Sequence, residues 1–402
     1  MTTTTGYRRL FRTPEFTPLF LGSAAQTAAS TLSGLALATL VYRATGSPLL
    51  SAISMFGPSL AQVLGATVLL SGSDRLPPRA ALAGIALAFA AGTAVLALPG
   101  LPIGAVFALI LVLGLVASLG GGVRWGLLNE ILGKDAKGGY LLGRSVFNMM
   151  VGVMQITGYA TGGALLILLS ARTALLLSAL LYLTAALVLR LGLTDRRPRS
   201  AGRLSVSATW RTNALLWSAR PRRLTYLGLW IPNGLVVGCE SLFVAYAPGA
   251  AGTLFACGAL GMLAGDLTVG RLLPPSLRAR LTTPLLLLLA MPYLALAMRP
   301  PLPVAAFCIA VASVGFGASL VQQERLMSLT PDELSGHALG LHSAGMLTMQ
   351  GVSATLAGSV AQVTSPAAAM AVMATASIAV TVALAVRNRG VRNAESEVGV
   401  VA

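Results

Sequence analysis

The sequence predicts an all-α integral membrane protein with twelve transmembrane helices in two pseudo-symmetric six-helix bundles. Three observations predict it. Hydrophobic residues fill 55% of the 402 positions and charged residues only 10%, so a water-soluble fold would leave too much apolar surface uncovered. Twelve apolar stretches of roughly 20 residues, the length that crosses a bilayer as a helix, fit the chain with short loops. The longest interval without such a stretch, Arg190 to Arg223, is Arg-rich and sits close to the midpoint. A basic run can be a nucleic-acid arm, but one set between apolar spans reads as a connector at a membrane surface.

In order, the expected spans are Phe16–Val41, Leu49–Gly72, Ala80–Leu98, Ile103–Leu128, Leu141–Leu169 and Thr173–Leu191. After the connector come Leu224–Tyr246, Ala250–Leu272, Leu281–Met298, Val304–Met327, His337–Val363 and Ala367–Val386. The N-terminal run MTTTTGYRRLFRTPEF is basic, yet the apolar run after it lacks a small-residue cleavage site and is long enough to span, so it reads as a retained first helix. Pro99, Gly100 and Pro102, and later Pro300, Pro301 and Pro303, mark similar turns after the third and ninth spans. These landmarks divide the chain into an N-terminal bundle (1–193), a basic connector (194–222) and a C-terminal bundle with a short tail (223–402).

Charge sets the expected orientation. With the N-terminus cytoplasmic, only Arg43, Arg172 and Arg299 of the 28 basic residues fall in outer loops. The positive-inside rule then places both termini and the connector in the cytoplasm. The connector arginines should meet the anionic inner leaflet, with Trp210 and Trp217 at headgroup depth and the whole segment apart from both bundles. The net charge of +16 is almost wholly Arg, since Lys134 and Lys137 are the only lysines; with abundant Ala and Gly, this suits a GC-rich bacterial genome and a bacterial cell membrane.

A repeat crosses the connector. GSDRLPPRAAL from Gly72 and GDLTVGRLLPPSLRARL from Gly265 come after the second and eighth spans, each with Gly, Asp, Arg, a Leu-Pro-Pro step and a further Arg. Two six-helix halves in parallel repeat explain this. Asp74, Arg75 and Arg79 in the first copy are similar to an acidic-basic signature between spans two and three, with Pro77 and Pro78 where that signature carries Gly and Arg. Gly158-Tyr159-Ala160-Thr161-Gly162-Gly163, with Gly152 upstream, is similar to an antiporter signature on span five; Tyr159 replaces its Pro. Gly120-Gly121-Gly122-Val123-Arg124 resembles an Arg-bearing signature on span four. On these residues the chain resembles the major facilitator superfamily, in particular its bacterial drug-efflux members. The resemblance implies a cavity lined by spans one, four, seven and ten, and alternating access by rocking of one bundle against the other.

Few polar residues lie within spans, and an ionisable one there is costly unless paired or hydrated. Glu240 is the only carboxylate well inside a span and is the proton-coupling candidate; the alternative is a structural carboxylate held by a polar neighbour. Span seven also carries Pro232, Gly234 and Gly238, so a local break is expected there. Asn233, seven residues before Glu240, shares its face. Gln26 and Ser30, with Ser23 and Ser33, form one polar face of span one. They read as interhelical hydrogen-bonding groups, as cavity lining, or as both. Gln322 joins Asn233 as a lining candidate. Arg124 either snorkels to the surface or, as the resemblance implies, sits near the cavity and meets a carboxylate or an anionic substrate. Asp74 and Asp266, facing Arg75, Arg79 or Arg271, are candidates for a gating latch, against a reading as solvated caps. Glu130 has a helical partner in Lys134. His342 reads first as structural. Gly152, Gly158, Gly162 and Gly163 read as a close-packing surface of span five.

No phosphate-binding loop, no helical His-Glu metal motif and no metal-like spacing of Cys239, Cys257 and Cys308 is present, so an ATP-driven pump, a membrane hydrolase and a cofactor or metal enzyme are not expected. The expectation is a monomeric secondary transporter in a lipid bilayer, exporting a small apolar or amphipathic compound against protons and binding no nucleic acid. The alternatives are an uptake symporter for a sugar or amino acid, and a non-transporting membrane scaffold or sensor.

Overall fold

The computed structural model describes residues 3–73, 77–132, 139–196 and 206–400. Every regular element among them is helical. Ten of the helices or helix pairs are long and apolar enough to cross a membrane. The fourth span falls outside that count because it is broken, and the eleventh because it is polar. Together they make the twelve.

The chain opens with a short helix the sequence pattern did not suggest, α1 (Thr3–Arg12), whose Leu10 is buried in a core with Phe16, Leu19 and Phe147. Glu15, in the left-handed region at φ 69°, turns the chain into α2 (Phe16–Thr45), which stops at Gly46, also left-handed at φ 64°. Next come α3 (Pro48–Ser73) and α4 (Pro78–Leu96), the latter with a proline in its first turn, where a missing N–H costs nothing.

The fourth span is two helices, α5 (Ile103–Ala117) and α6 (Gly120–Leu132), where the sequence pattern predicts one. Ser118 at the joint turns its hydroxyl back to the Leu115 carbonyl at 2.7 Å, and three glycines come after it, which weakens helix continuity. α7 (Gly139–Leu168) and α8 (Ala171–Gly192) complete the first six spans; Ser170 caps α8 by accepting from the Thr173 N–H at 3.1 Å. After α9 (Val206–Ser218), the seventh span is α10 (Arg220–Glu240) and the short α11 (Phe243–Tyr246). The break expected near Pro232 is absent: α10 runs through it and stops at Glu240. Two side chains add hydrogen bonds to carbonyls near Pro232. Asn233 Nδ2 donates to the Leu229 carbonyl at 2.7 Å, and Ser377 Oγ donates to the Pro232 carbonyl at 3.1 Å.

α12 (Ala251–Leu267) runs into a π turn, Thr268–Leu272, and α13 (Pro275–Ala295) into a 3-10 turn that ends at left-handed Arg299. The tenth span, like the fourth, starts after a proline cap and breaks midway, here at glycine: α14 (Leu302–Val314), a 3-10 turn at Gly315–Gly317 and α15 (Ala318–Ser328). α16 (Ser335–Val363) and α17 (Pro366–Val400) close the chain, the last running well past the expected end at Val386. The matched breaks are the internal repeat made visible in the backbone.

Two compact units result: Met1–Gly46 with Gly57–Val206 and Ala251–Ala256, and Ser47–Phe56 with Ser207–Ala250 and Cys257–Ala402. They do not coincide with the two sequence halves. In the first unit, buried Ala29, Ala86, Ala90, Ala185 and Ala186 of α2, α4 and α8 let the helices approach closely. In the second, α10 is the central helix, packed by α13, α15, α16 and α17. The connector departs from its expected isolation. Leu216 is fully buried, and Trp217 stacks on Tyr226 and Trp230 of α10, because the aromatic faces gain more from packing than from the surface. Trp210, one end of the same helix, stays exposed.

Candidate functional site

In the first unit, Gln26 on α2 and Arg124 on α6 meet: Arg124 Nη2 donates to Gln26 Oε1 at 2.6 Å. Gln26 lies ten residues into α2 and Arg124 eight residues before the end of α6, so each is about 12–15 Å from its helix end. Of the polar face read from span one, Gln26 reaches α6, while Ser30 and Ser33 face the Tyr182 hydroxyl of α8. Ser30 is exposed and gives its hydroxyl proton to the Thr27 carbonyl at 2.9 Å, Ser33 bonds back to Ser30, and Ser23 is buried.

The α7 glycines lie where a side chain would collide. A Cβ on Gly158 would sit 2.9 Å from Thr31 Cβ, and one on Gly162 would sit 3.1 Å from Leu32 Cδ1, both on α2; Gly163 has Gly252 Cα at 2.8 Å. Gly152 is partly buried on the same helix.

In the second unit, Asn233 is fully buried on α10 and holds Ser319 of α15 through Nδ2 at 3.1 Å. Gln322, one turn beyond Ser319, is 7% exposed and packs its amide against Gly228, where a Cβ would meet Nε2 at 3.1 Å. The Asn233 and Gln322 side-chain oxygens are both buried and have no hydrogen-bond partner among the described residues. Two unsatisfied acceptors on facing helices are costly for a membrane bundle, and a hydrogen-bond donor from a solute would remove that cost.

Glu240 ends α10, partly exposed, and no cation pairs with it among the described residues. Next to it Cys239 is buried, with its thiol toward the Met370 carbonyl at 3.4 Å. Tyr293 of α13 lies within electrostatic range; it is 1% exposed, stacks on Phe243, and its hydroxyl has no partner among the described residues. Among the described residues no hydrogen bond or ion pair to the Glu240 carboxyl is seen.

The latch candidates are less complete. Asp74 and Arg75 lie outside the described residues. Arg79 is in the first turn of α4, its Nε buried and without a partner among the described residues. Asp266 and Arg271 are exposed on either side of the step into the π turn, and no ion pair joins them. Sequence reasoning missed a different charged cluster. Glu15 accepts hydrogen bonds from the Thr194 N–H, the Thr194 hydroxyl and Arg196, and Arg196 also bridges to Glu130 at 3.1 Å. Residues 15, 130 and 196 share no local spacing, so no sequence signal joins them; the expected partner of Glu130, Lys134, lies outside the described residues. Arg196→Ala should strand a Glu15 carboxylate that is only 8% exposed and cost about 1–3 kcal/mol. Thermal unfolding of the variant should show that loss, and adding Glu15→Gln should restore most of it. A third feature unread in the sequence is the stack of Trp217, Tyr226 and Trp230, which Trp230 Nε1 ties to the His342 carbonyl at 3.1 Å.

Neither the known family descriptions nor the curated proteins contain a match to this chain. Solved structures do. One is a POT family transporter in complex with a thioalcohol conjugated peptide, 12% identical, with a TM-score of 0.73 over 93% of this chain and 96% of that one. A second is a POT family transporter in complex with 5-aminolevulinic acid, 12% identical, with a TM-score of 0.74 over 92% and 95%. A third is the nucleoside transporter NupG, 13% identical, with a TM-score of 0.72 over 92% and 99%. At these identities the likeness is one of fold, and it covers more than nine tenths of each partner.

Proposed function

We propose that the chain is a proton-coupled secondary transporter that takes up a small polar organic solute by alternating access, with both termini on the cytoplasmic side of a cell membrane. The observation that carries the transport reading is the end-to-end likeness of fold to carriers of peptides, 5-aminolevulinic acid and nucleosides. Those solutes favour uptake over the drug export that the span-five glycines suggest. The glycines themselves are accounted for by packing: Gly158 and Gly162 admit Thr31 and Leu32 of α2, a need independent of the direction of transport. The unsatisfied oxygens of Asn233 and Gln322 suit a solute with N–H or O–H donors better than an apolar drug. Glu240, a lone carboxyl in a span, supplies the proton carrier.

Cells expressing the chain, given labelled dialanine, 5-aminolevulinic acid and uridine, test this reading. At least one solute should accumulate several-fold above vector controls and be lost on adding a protonophore. A lowered internal level in energised cells would return the protein to the exporters, and indifference to every solute would support a scaffold.

The latch reading of Asp266 belongs to the same proposal, as a pair formed with Arg271 or Arg278 in a conformation other than this one. Asp266→Asn should lower turnover several-fold and leave KM within about twofold, since a change in conformational balance acts on the cycle and not on the solute contacts. Initial rates against solute concentration check this; normal turnover with a raised KM would instead make Asp266 a binding residue.

A further inference from the structure

The turns after the third and ninth spans are built alike, with one exchange. In each, a left-handed residue stands two places before the proline that caps the next helix: Gly100 (φ 78°) before Pro102 of α5, and Arg299 (φ 51°) before Pro301 of α14. Glycine takes that conformation freely, and a residue with a Cβ takes it at a cost. The second half of the chain carries the cost that the first half avoids, and it puts a guanidinium there.

Arg299 lines a cavity of about 280 Å³ in the second unit, together with Tyr246 at the end of the seventh span, Leu302 and Ala305 of α14, and Pro366 and Ala367 of α17. Both α14 and α17 present their first turns to it, and helix N-termini favour negative charge. The Tyr246 hydroxyl donates to the Leu296 carbonyl at 3.4 Å, a long contact that a better acceptor can replace. The sequence puts no counter-charge at this level: the expected outer turns carry Arg43, Arg172 and Arg299 and no Asp or Glu. The cavity is just smaller than the pockets that hold drug-sized molecules. Beside it the surface is apolar, with Met298 86% and Phe307 69% exposed, and in a bilayer such side chains meet acyl chains.

We propose that this cavity holds the headgroup phosphate of an anionic phospholipid of the outer leaflet, with Arg299 as its counter-ion and the acyl chains on the apolar surface beside it. A phosphodiester brings one negative charge, which one guanidinium balances. A lipid that also brings an ammonium finds no carboxylate among the described residues that line the cavity, so phosphatidylglycerol should be preferred to phosphatidylethanolamine. Only the choice of leaflet rests on the orientation proposed above; the site is independent of the solute and of the direction of transport.

Full-length protein purified in detergent tests this by thermal unfolding with added dioleoylphosphatidylglycerol, dioleoylphosphatidylethanolamine or inorganic phosphate. The glycerol lipid should raise the unfolding temperature by about 3 °C or more over the ethanolamine lipid at equal concentration. Arg299→Gly should lose most of that difference and yet, without lipid, unfold no lower than wild type, because glycine fits the left-handed turn. Arg172→Gln, at an exposed arginine in the first turn of α8, is the control and should keep the difference. Should Arg299→Gly not fold, Arg299→Asn takes its place, since Asn also accepts this conformation. Equal stabilisation by the two lipids would overturn the inference, and so would a difference that survives the loss of Arg299. Inorganic phosphate stabilising as much as phosphatidylglycerol would make this a site for a soluble anion and overturn the lipid reading.

Discussion

Glu240→Gln should abolish proton-driven accumulation, by about a hundredfold or more, while solute binding and solute exchange across the membrane stay within about threefold of wild type. The expectation comes from the surroundings of this side chain. Glu240 closes α10 at the point where the seventh span breaks, with Ser241 turning its hydroxyl back to the Gly238 carbonyl at 2.7 Å. No arginine or lysine lies near enough to pair with it among the described residues. A charged carboxylate in that position is costly, and taking up a proton removes the cost. Glutamine keeps the shape and stays neutral, which breaks coupling and not binding. Counterflow and gradient-driven uptake measured on the same vesicles separate the two. If the variant still accumulates solute against its gradient, Glu240 is a structural group and the proton travels elsewhere.

A different part of the second unit carries the largest expected effect on folding. α12 meets α14 along Gly258, Gly261 and Gly265. A Cβ on Gly261 would overlap the Ala310 carbonyl, and one on Gly265 would come 2.9 Å from the Val314 carbonyl carbon. The obstacle is backbone, so no side chain can swing aside, and the helices must part. Gly261→Leu should cost more than about 3 kcal/mol, or roughly 4 °C in apparent Tm for a chain of this length, and most of the protein should leave the monomeric fraction. Gly84→Leu is the control: that glycine is exposed and nothing lies within 4 Å of its Cβ, so stability should hardly change. Equal losses in the two variants would mean that the close crossing at Gly261 is not what sets the stability.

The sequence made the spans legible because each is a run of apolar residues ended by Gly, Pro or Arg, and the solvent alone dictates that pattern. It made the repeat legible through the two Asp-Arg loops, and the backbone breaks at residues 118–119 and at Gly315–Gly317 repeat it. What composition could not reveal depends on residues far apart in the chain. Arg124 finds Gln26 at a separation of 98 positions, and Arg196 gathers Glu15 and Glu130 at one corner. The surroundings of Pro232 were illegible for a similar reason: its carbonyl accepts a hydrogen bond from Ser377, in the last helix. Trp217 reads as an interfacial residue by its neighbours in sequence, yet its stack is on α10. Local pattern therefore fixes where helices are, and tertiary contacts decide which of their polar residues are spent on structure and which remain free for chemistry.

The central claim, that solute movement and proton movement are one event, is tested most directly by reconstituting the protein in vesicles loaded with a pH indicator and adding an uptake solute outside with no pH gradient imposed. Solute should acidify the lumen at an initial rate proportional to its own uptake, and the Glu240→Gln variant should take up solute with no acidification. Uptake by the wild type at an unchanged internal pH would contradict the account.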